Sequence, residues 1–578
     1  MSARAALIAF ALLCLWPSAR AQASPAADSL SFDAWGRVGT GVITPSTAPR
    51  LVVVLLFDQL RADFLDRFRA AFVSDGFLRL EREGTVARDC SIPYAQTLTA
   101  PGHAALLTGA APRETGIIGN GWYERREGRA VSADFDPRAR AVGSSDTESS
   151  SPWRLRAETV GDVLKSATRG RGKVIGISDK ARAAILPAGF SADAAYWMDD
   201  ASGRMQSSTY YMEHLPEWVV KANQGRRAAD ASAEPWRPLL PASAYAACWV
   251  AQGASTFPHR FTKDGKIDSA RATVASPWAL TQSFAFARQA VENEKLGADD
   301  APDLLALSVS VTDRVGHLFG PDSPEYLDMT ARCDREVAAF LHFLDQRVGR
   351  GRYAVVVTAD HGVAPTPSLA RRFEASPWDS IGAISDSALA RWASAEIGGV
   401  YHGRARHRVG DFVTAVGEGE IWLDRDSLSW AGIDADEAAQ TLADSAQTFP
   451  WLEAGFTGAA LASGGGADAL ARAAALGYFP GRSGDVIFLA KPFAFFGSGN
   501  FLRGDHGSPY RYDTHVPLIF FGAGVRRATV RRPVSTLDIA PTVSALYGIE
   551  TPARSQGTAL IEVPGAGAPA TAPLSGSR

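Results

Sequence analysis

The residues richest in chemistry are acids and histidines spaced as metal ligands. Asp58 closes an apolar run, Asp313 is followed four residues later by His317, Asp360 and His361 are adjacent, and His506 lies in Gly504-Asp505-His506-Gly507. Six mixed oxygen and nitrogen ligands suit two zinc ions, which accept both donor types in tetrahedral sites with open positions, whereas magnesium prefers oxygen and water. The offset in Asp313-Arg-Val-Gly-His317 turns both side chains to one side of a helical turn. Gly362, after Asp360-His361, lets the chain leave a strand through unusual dihedrals. Each fragment alone is commonplace: strand-end Asp-His pairs are usually caps and turns, and His515 competes with His506. Their coincidence carries the weight, because all of them punctuate apolar runs of one expected sheet.

A nucleophile candidate lies in Thr97-Leu98-Thr99-Ala100-Pro101-Gly102-His103. Thr99 precedes Pro101 and an apolar helical stretch, a helix N-cap or first-turn position. Read blandly, it is a cap. Beside metals it becomes more, because free backbone N–H groups and the positive end of a helix can hold a phosphoryl group, and zinc can make the hydroxyl acidic.

The elements that must position these groups read as buried strands alternating with helices. Continuous apolar runs occur at Leu51–Phe57, Val174–Ile177, Leu304–Val311, Ala354–Val357, Val486–Leu489 and Val516–Phe521, and helical periodicity fills Arg61–Leu80, Thr159–Ser166, Asp334–Val348 and Ala435–Ala446. This grammar predicts an α/β fold with a doubly wound, mostly parallel sheet flanked by helices, whose ligands gather beyond the carboxyl ends of the strands. Residues 183–300 and 364–483 interrupt it and read as insertions capping the site. Trp197, Tyr210, Tyr211 and Trp218 read as the core of the first insertion in preference to a substrate mouth.

Composition narrows the function. With 46% hydrophobic and 21% charged residues in 578, the chain is an ordinary globular protein, neither collagenous nor a small disulfide scaffold. The net charge of −3 and the lack of a basic cluster disfavour nucleic acid as a partner. Residues 1–23 read as a cleavable leader: Arg4, an apolar run too short to span a bilayer, then Ala21-Gln22-Ala23. Its loss, with Arg4 and Arg20 and no acid, takes the charge from −3 to −5. A lead-in over 24–48, a catalytic domain over 49–555 and a Pro/Gly/Ala tail over 564–578 complete the expected layout, in the periplasm or outside the cell and without an integral membrane anchor. Cys90, Cys248 and Cys333 permit at most one disulfide.

Seven ordered motifs carry a resemblance: LLFDQLRADF from Leu55, TLTAPGHAALLTG from Thr97, GIIGNGWY from Gly116, SDKARAAILPAG from Ser178, SVTDRVGHLFGPDS from Ser310, TADHG from Thr358 and HGSPYRYDTHVPLIFFG from His506. Over residues 50–550 the chain resembles the alkaline phosphatase superfamily, in particular the secreted bacterial, phosphate-irrepressible enzymes with a threonine nucleophile. The resemblance implies one zinc on Asp313, His317 and His506, and a second on Asp58, Asp360 and His361 beside Thr99, itself a ligand. Asn120, Lys180 and Arg182 match the residues that grip the phosphoryl group, and His515 becomes a supporting residue. Read without the family, Lys180 and Arg182 would be a solvated pair; their i, i+2 spacing sets both heads on one side of extended chain.

That pair separates the branches. A phosphomonoester offers two non-bridging charges and a diester one, so additional cations favour monoesters. Nucleotide pyrophosphatases/phosphodiesterases lack the pair, sulfatases use formylglycine in a different setting, and cofactor-independent phosphoglycerate mutases use serine and manganese. The resemblance therefore implies a zinc-dependent alkaline phosphatase releasing phosphate from small-molecule monoesters through a phosphothreonine. A phosphodiesterase, or a silent exported protein that binds zinc or phosphate, is the alternative. Secreted proteins of this kind also admit a structural calcium ion, for which the sequence assigns no ligands, and the oligomeric state is not encoded legibly.

Overall fold

Seven successive apolar residues, Leu51–Phe57, are wholly buried in the computed structural model because a parallel strand pairs along each of their edges and helices cover both faces. The structure describes residues 48–564 except 145–148, 226–227, 232–233, 249–256, 264–265, 367–368, 370–382, 403–411 and 498–502. The expected leader, the lead-in up to residue 47 and the tail from residue 565 lie outside the described residues.

In chain order the strands that matter are β1 (Leu51–Phe57), β2 (Thr85–Ser91), β3 (Ala141–Val142), β4 (Val174–Ser178), β5 (Ala194–Met198), β6 (Met205–Ser208), β7 (Asp303–Val309), β8 (Tyr353–Thr358), β9 (Val413–Gly417), β10 (Glu420–Leu423), β11 (Leu452–Thr457), β12 (Val486–Ala490), β13 (His515–Gly522), β14 (Ala528–Val530) and β15 (Val534–Ser535). Eleven of them form the main sheet in the order β14-β2-β13-β8-β1-β7-β4-β5-β6-β3, with β15 paired to β2. Its centre, β8-β1-β7-β4-β5, is parallel. β13 runs antiparallel between β8 and β2, and β6 and β3 close the other end in antiparallel fashion. The fold is thus the mixed, mostly parallel α/β sheet flanked by helices that the alternating pattern predicts.

The run at Val486–Leu489 is the exception. Its strand, β12, lies between β10 and β11 in a separate antiparallel sheet of order β9-β10-β12-β11. The run is uninterrupted because both faces are buried there too, Val486 and Phe488 among Leu389, Ile397 and Leu442, and Ile487 and Leu489 among Ala95, Leu461 and Ala474. Each such aliphatic side chain contributes about 1.5–3 kcal/mol by leaving water. Residues 183–300, conversely, hold β5 and β6 of the main sheet as well as covering loops. Trp197 is buried against Ile185 and Ala195, Trp218 packs on Tyr196 and Phe286, and Tyr210 is partly exposed.

Six helices organise the site and its cover: α1 (Thr99–Thr108), α2 (Ala181–Ala188), α3 (Val311–Phe319), α4 (Pro324–Leu344), α5 (Asp386–Val400) and α6 (Ala435–Asp444). The stretch Arg61–Leu80 is not one helix but breaks at Phe68 and again before Phe77. Helix α4 starts ten residues before the periodic pattern does, where Ser323 caps it and Pro324 takes the first turn. At Gly102, where a Cβ would stand 2.4 Å from the Asp360 carbonyl oxygen, α1 presses on the chain leaving β8. Cys90, Cys248 and Cys333 are free, so no disulfide forms among them. Among the described residues no helix is long and apolar enough to cross a membrane.

Candidate active site

The carboxyl ends of β1, β7 and β8 deliver Asp58, helix α3 with Asp313 and His317, and Asp360-His361 to one place. His361 Nε2 lies 3.3 Å from Asp58 Oδ1 and 3.4 Å from Asp360 Oδ2. His317 Nε2 and His506 Nε2 lie 3.0 and 3.5 Å from Asp313 Oδ1. The His361 and His506 rings stack with centroids 3.6 Å apart, joining the two groups. Among the described residues, ligand atoms converge as Asp58–Asp360–His361, Asp313–His361–His506 and His317–Asp505–His506; the expected set of Asp313, His317 and His506 is thus shared between two of these groups and is not itself one of them.

Each ligand histidine is oriented from behind. The Nδ1 atoms of His317, His361 and His506 meet the backbone carbonyls of Gly504, Gly362 and Thr97 at 2.9, 2.9 and 2.8 Å, which leaves every Nε2 facing inward. Asp58 Oδ1, Asp360 Oδ2 and His361 Nε2 are buried with no hydrogen-bond partner. Two buried carboxylates and an imidazole with inward atoms unpaired would be costly without a cation, so this donor set fits a metal ion. Burial, with the stacked His506, holds His361 well below the usual imidazole range, leaving its nitrogen lone pair available. Burial and the neighbouring Asp313 and Asp360 raise the Asp58 carboxyl, with Lys180 and His361 opposing. At Asp313 burial is outweighed by His317 and Lys180, which hold its carboxyl well below the ordinary value. His506 is pushed up to about 10, burial being overcome by the hydrogen bond to Asp313.

Thr99 is the first residue of α1, after an extended Leu98 that provides no side-chain cap, and is 2% exposed. Asn120 Oδ1 accepts from the Ala100 N–H at 2.9 Å, which ties the amide to the first turn of the helix, next to Thr99. Lys180 Nζ donates to Asp58 Oδ2 at 2.7 Å and to Asp313 Oδ2 at 2.6 Å, bridging the two ligand groups. Lys180 is extended, but the chain enters α2 at Ala181, so Arg182 stands on a helical turn and not on the extended stretch that the i, i+2 argument supposes. Its Nε is buried with no hydrogen-bond partner. His515, by contrast, faces Arg88 and Arg511 away from the ligand groups.

Several site residues lie outside the sequence-derived set. Gln59, at φ +70, donates through Nε2 to Asp313 Oδ1 and through its backbone N–H to Asp360 Oδ1, at 2.9 and 3.3 Å. His103 Nδ1 lies 3.1 Å from Asp360 Oδ2, and its Nε2 meets Ser308 Oγ at 2.7 Å. Asp505 adds a carboxylate beside His317 and His506. Glu418, from the β9–β10 turn, accepts from the Asn120 N–H at 3.2 Å; burial pushes its carboxyl up to about 7 against the opposing Asn120 N–H, Arg182 and His506. Three of these neighbour motif residues in sequence: Gln59 follows Asp58, His103 is one turn beyond Thr99, and Asp505 precedes His506. Glu418 has no such signal.

Comparison with known proteins agrees with this geometry. Residues 52–429 match the family model for type I phosphodiesterase / nucleotide pyrophosphatase. The chain is 34% identical to alkaline phosphatase PhoV of Synechococcus elongatus over 89% of its own length and 93% of the relative's. It is 31% identical to alkaline phosphatase PafA of Elizabethkingia meningoseptica over 92% and 97%. Crystal structures of wild-type PafA and of a variant with a threonine, an asparagine, a lysine and an arginine replaced superpose with TM-scores of 0.80 and 0.81 at 30% identity, each covering 90% of this chain and 99% of theirs. On fold, site and similarity alike, the chain belongs to the alkaline phosphatase superfamily.

Proposed function

We propose that this protein is a zinc-dependent phosphomonoesterase of the alkaline phosphatase type that works through a phosphothreonine on Thr99. The observation that carries the reading is the cluster of cations and inward-facing ligand atoms around the start of α1: Lys180 between Asp58 and Asp313, Arg182 beside it, and Asn120 on Ala100. The same four residue types, threonine, asparagine, lysine and arginine, are those replaced in the PafA variant.

Asp58, Asp360 and His361 would hold one zinc and Asp313, His317 and His506 the other, with Thr99 completing the set. Bound there, the ions supply positive charge that makes the Thr99 hydroxyl acidic and stabilises the departing oxygen. Thr99 Oγ1 bonds to phosphorus as the ester oxygen leaves as alcohol, its proton made good by solvent; water then replaces Thr99 on phosphorus and frees phosphate. Asn120, its Oδ1 fixed on Ala100, keeps its NH₂ to donate to a phosphoryl oxygen. Lys180 and Arg182 add charge that a dianionic monoester uses fully and a diester only in part. With the leader at 1–23, the enzyme would act in the periplasm or outside the cell on small-molecule esters.

Initial rates on an aryl phosphate monoester and the matching diester, before and after chelation, test this. Chelator-sensitive preference for the monoester is expected. Diester preference would move the chain to the phosphodiesterase branch, and zinc binding without turnover would make it a binding protein. Thr99→Ala should lower kcat by at least about 10³-fold and abolish labelling of the protein by phosphate; label on the variant would refute the nucleophile.

A further inference from the structure

The turn joining β9 and β10 is a two-residue loop, Glu418-Gly419, between the paired residues Gly417 and Glu420. Both loop residues have positive φ, +52 and +85. Such turns favour Asn-Gly or Gly-Gly, because only short polar residues and glycine take the left-handed region without penalty. A glutamate in the first position is therefore held in a conformation its side chain opposes, and strain of this kind persists where the surroundings over-determine it.

The surroundings are the phosphoryl-binding loop. Glu418 Oε2 accepts from the backbone N–H of Asn120 at 3.2 Å. A Cβ on Gly119 would come within 2.2 Å of the same oxygen, so a side chain at that position would displace the carboxyl from its present seat. Asn120 in turn accepts from Ala100, next to Thr99. A continuous chain of contacts thus runs from the tip of the small sheet to the start of α1.

Resting on the phosphatase reading above, we propose that Glu418 is a positioning residue: it fixes the backbone of Asn120, and so aims the Asn120 amide at the phosphoryl oxygens. The small sheet is then part of the active site and not only its cover. Orientation of a group that acts on developing charge is felt mainly in kcat.

The experiment is a double-mutant cycle on the metal-loaded, full-length enzyme. Glu418→Gly relieves the backbone strain, so the melting temperature should hold or rise, while kcat on an aryl monoester falls about 10-fold with KM little changed. Glu418→Gln keeps an oxygen acceptor for the Asn120 N–H and should restore kcat to within about 3-fold. In an Asn120→Ala background, Glu418→Gly should cost less than about 2-fold, because the group it positions is gone. Full activity of Glu418→Gly, failure of the glutamine to rescue, or an undiminished loss in the Asn120→Ala background would each overturn the proposal. Calorimetric binding of inorganic phosphate to the same four proteins repeats the cycle without turnover. A phosphate-binding cycle that couples in a protein without monoesterase activity would sink the functional reading while leaving the positioning role intact.

Discussion

The two sheets handle buried charge in opposite ways. At the carboxyl end of the main sheet, Asp58 Oδ1, Asp360 Oδ2 and His361 Nε2 are buried with no hydrogen-bond partner and face one another and the His103 ring. In the small sheet, Asp485 accepts from the Leu423 N–H at 2.7 Å, from Arg125 at 2.9 Å and from Arg425 at 2.7 Å, and Glu420 accepts from the Gly484 N–H at 2.6 Å. Among the described residues of that subdomain only Ser394 Oγ is buried without a partner. Buried polar atoms normally find partners because leaving them without one costs about 1–3 kcal/mol each. The difference teaches where to look: satisfied charge is architecture, and unsatisfied charge pointing at one spot marks a ligand site.

Metal removal breaks this contrast most severely. Chelation should lower monoester hydrolysis by more than about 10³-fold. It should also speed amide exchange around Asp58, Asp360 and Gly362 while leaving β9–β12 as protected as before. Activity surviving in metal-free protein, checked by elemental analysis, would contradict the reading of the main-sheet end.

Next in size are the cations. Lys180→Ala and Arg182→Ala should each lower kcat/KM on the monoester by about 10²-fold and on the diester by less than about 10-fold. Equal losses on both esters would remove their role in discrimination. Lys180→Ala has a second effect, visible without substrate: in metal-free protein it leaves Asp58 and Asp313 facing each other, so the melting temperature of the chelated form should fall more than that of the loaded form.

How much of this the sequence carries depends on the kind of signal. Uninterrupted apolar runs mark strands buried on both faces, and so β1, β4, β7, β8 and β13 are legible. They do not say in which sheet a strand lies, and Val486–Leu489 reads like the others although it belongs to the small sheet. Short strands such as Met205–Ser208 carry no alternation to find. The residues that approach one another at the metal-type cluster each end an apolar run or sit in a motif; the fold brings Asp58, Asp360 and His361 within ligand distance of one another and sets His317 and His506 each beside Asp313, but it joins those two histidines as a converging set with Asp505. Gln59 and Glu418 were illegible because their roles depend on backbone conformation, φ +70 and +52, which residue type does not announce.

A smaller effect should separate the sheets in the other direction. Leu442 on α6 is fully buried in the small-sheet core. Leu442→Ala should cost about 3 kcal/mol through lost transfer energy and the cavity left behind. Denaturant unfolding measures the loss. Hydrogen exchange should place it in β9–β12, with the ends of β1 and β8 unchanged; uniform loosening would show that the two sheets unfold as one unit.

The smallest effect is one of pH, and it comes from a charge that the small sheet tolerates and does not use. Burial pushes the Glu420 carboxyl from its ordinary 4.5 up to about 8, the Gly484 N–H opposing and Glu418 adding to the rise. A carboxyl raised on folding binds its proton more tightly in the native state. Its contribution to stability is therefore complete below about pH 4.5 and is lost as pH rises through about 8, the direction opposite to that of a salt-bridged acid. Wild-type protein should lose stability steadily between about pH 5 and pH 8 from this residue. Glu420→Gln keeps an acceptor for Gly484 without the ionisation, so subtracting its unfolding curves from those of the wild type should isolate a loss centred between the two values. Parallel curves would mean that Glu420 is solvated in the native state, and the small sheet would then resemble the main-sheet end less as a contrast than as a second open surface.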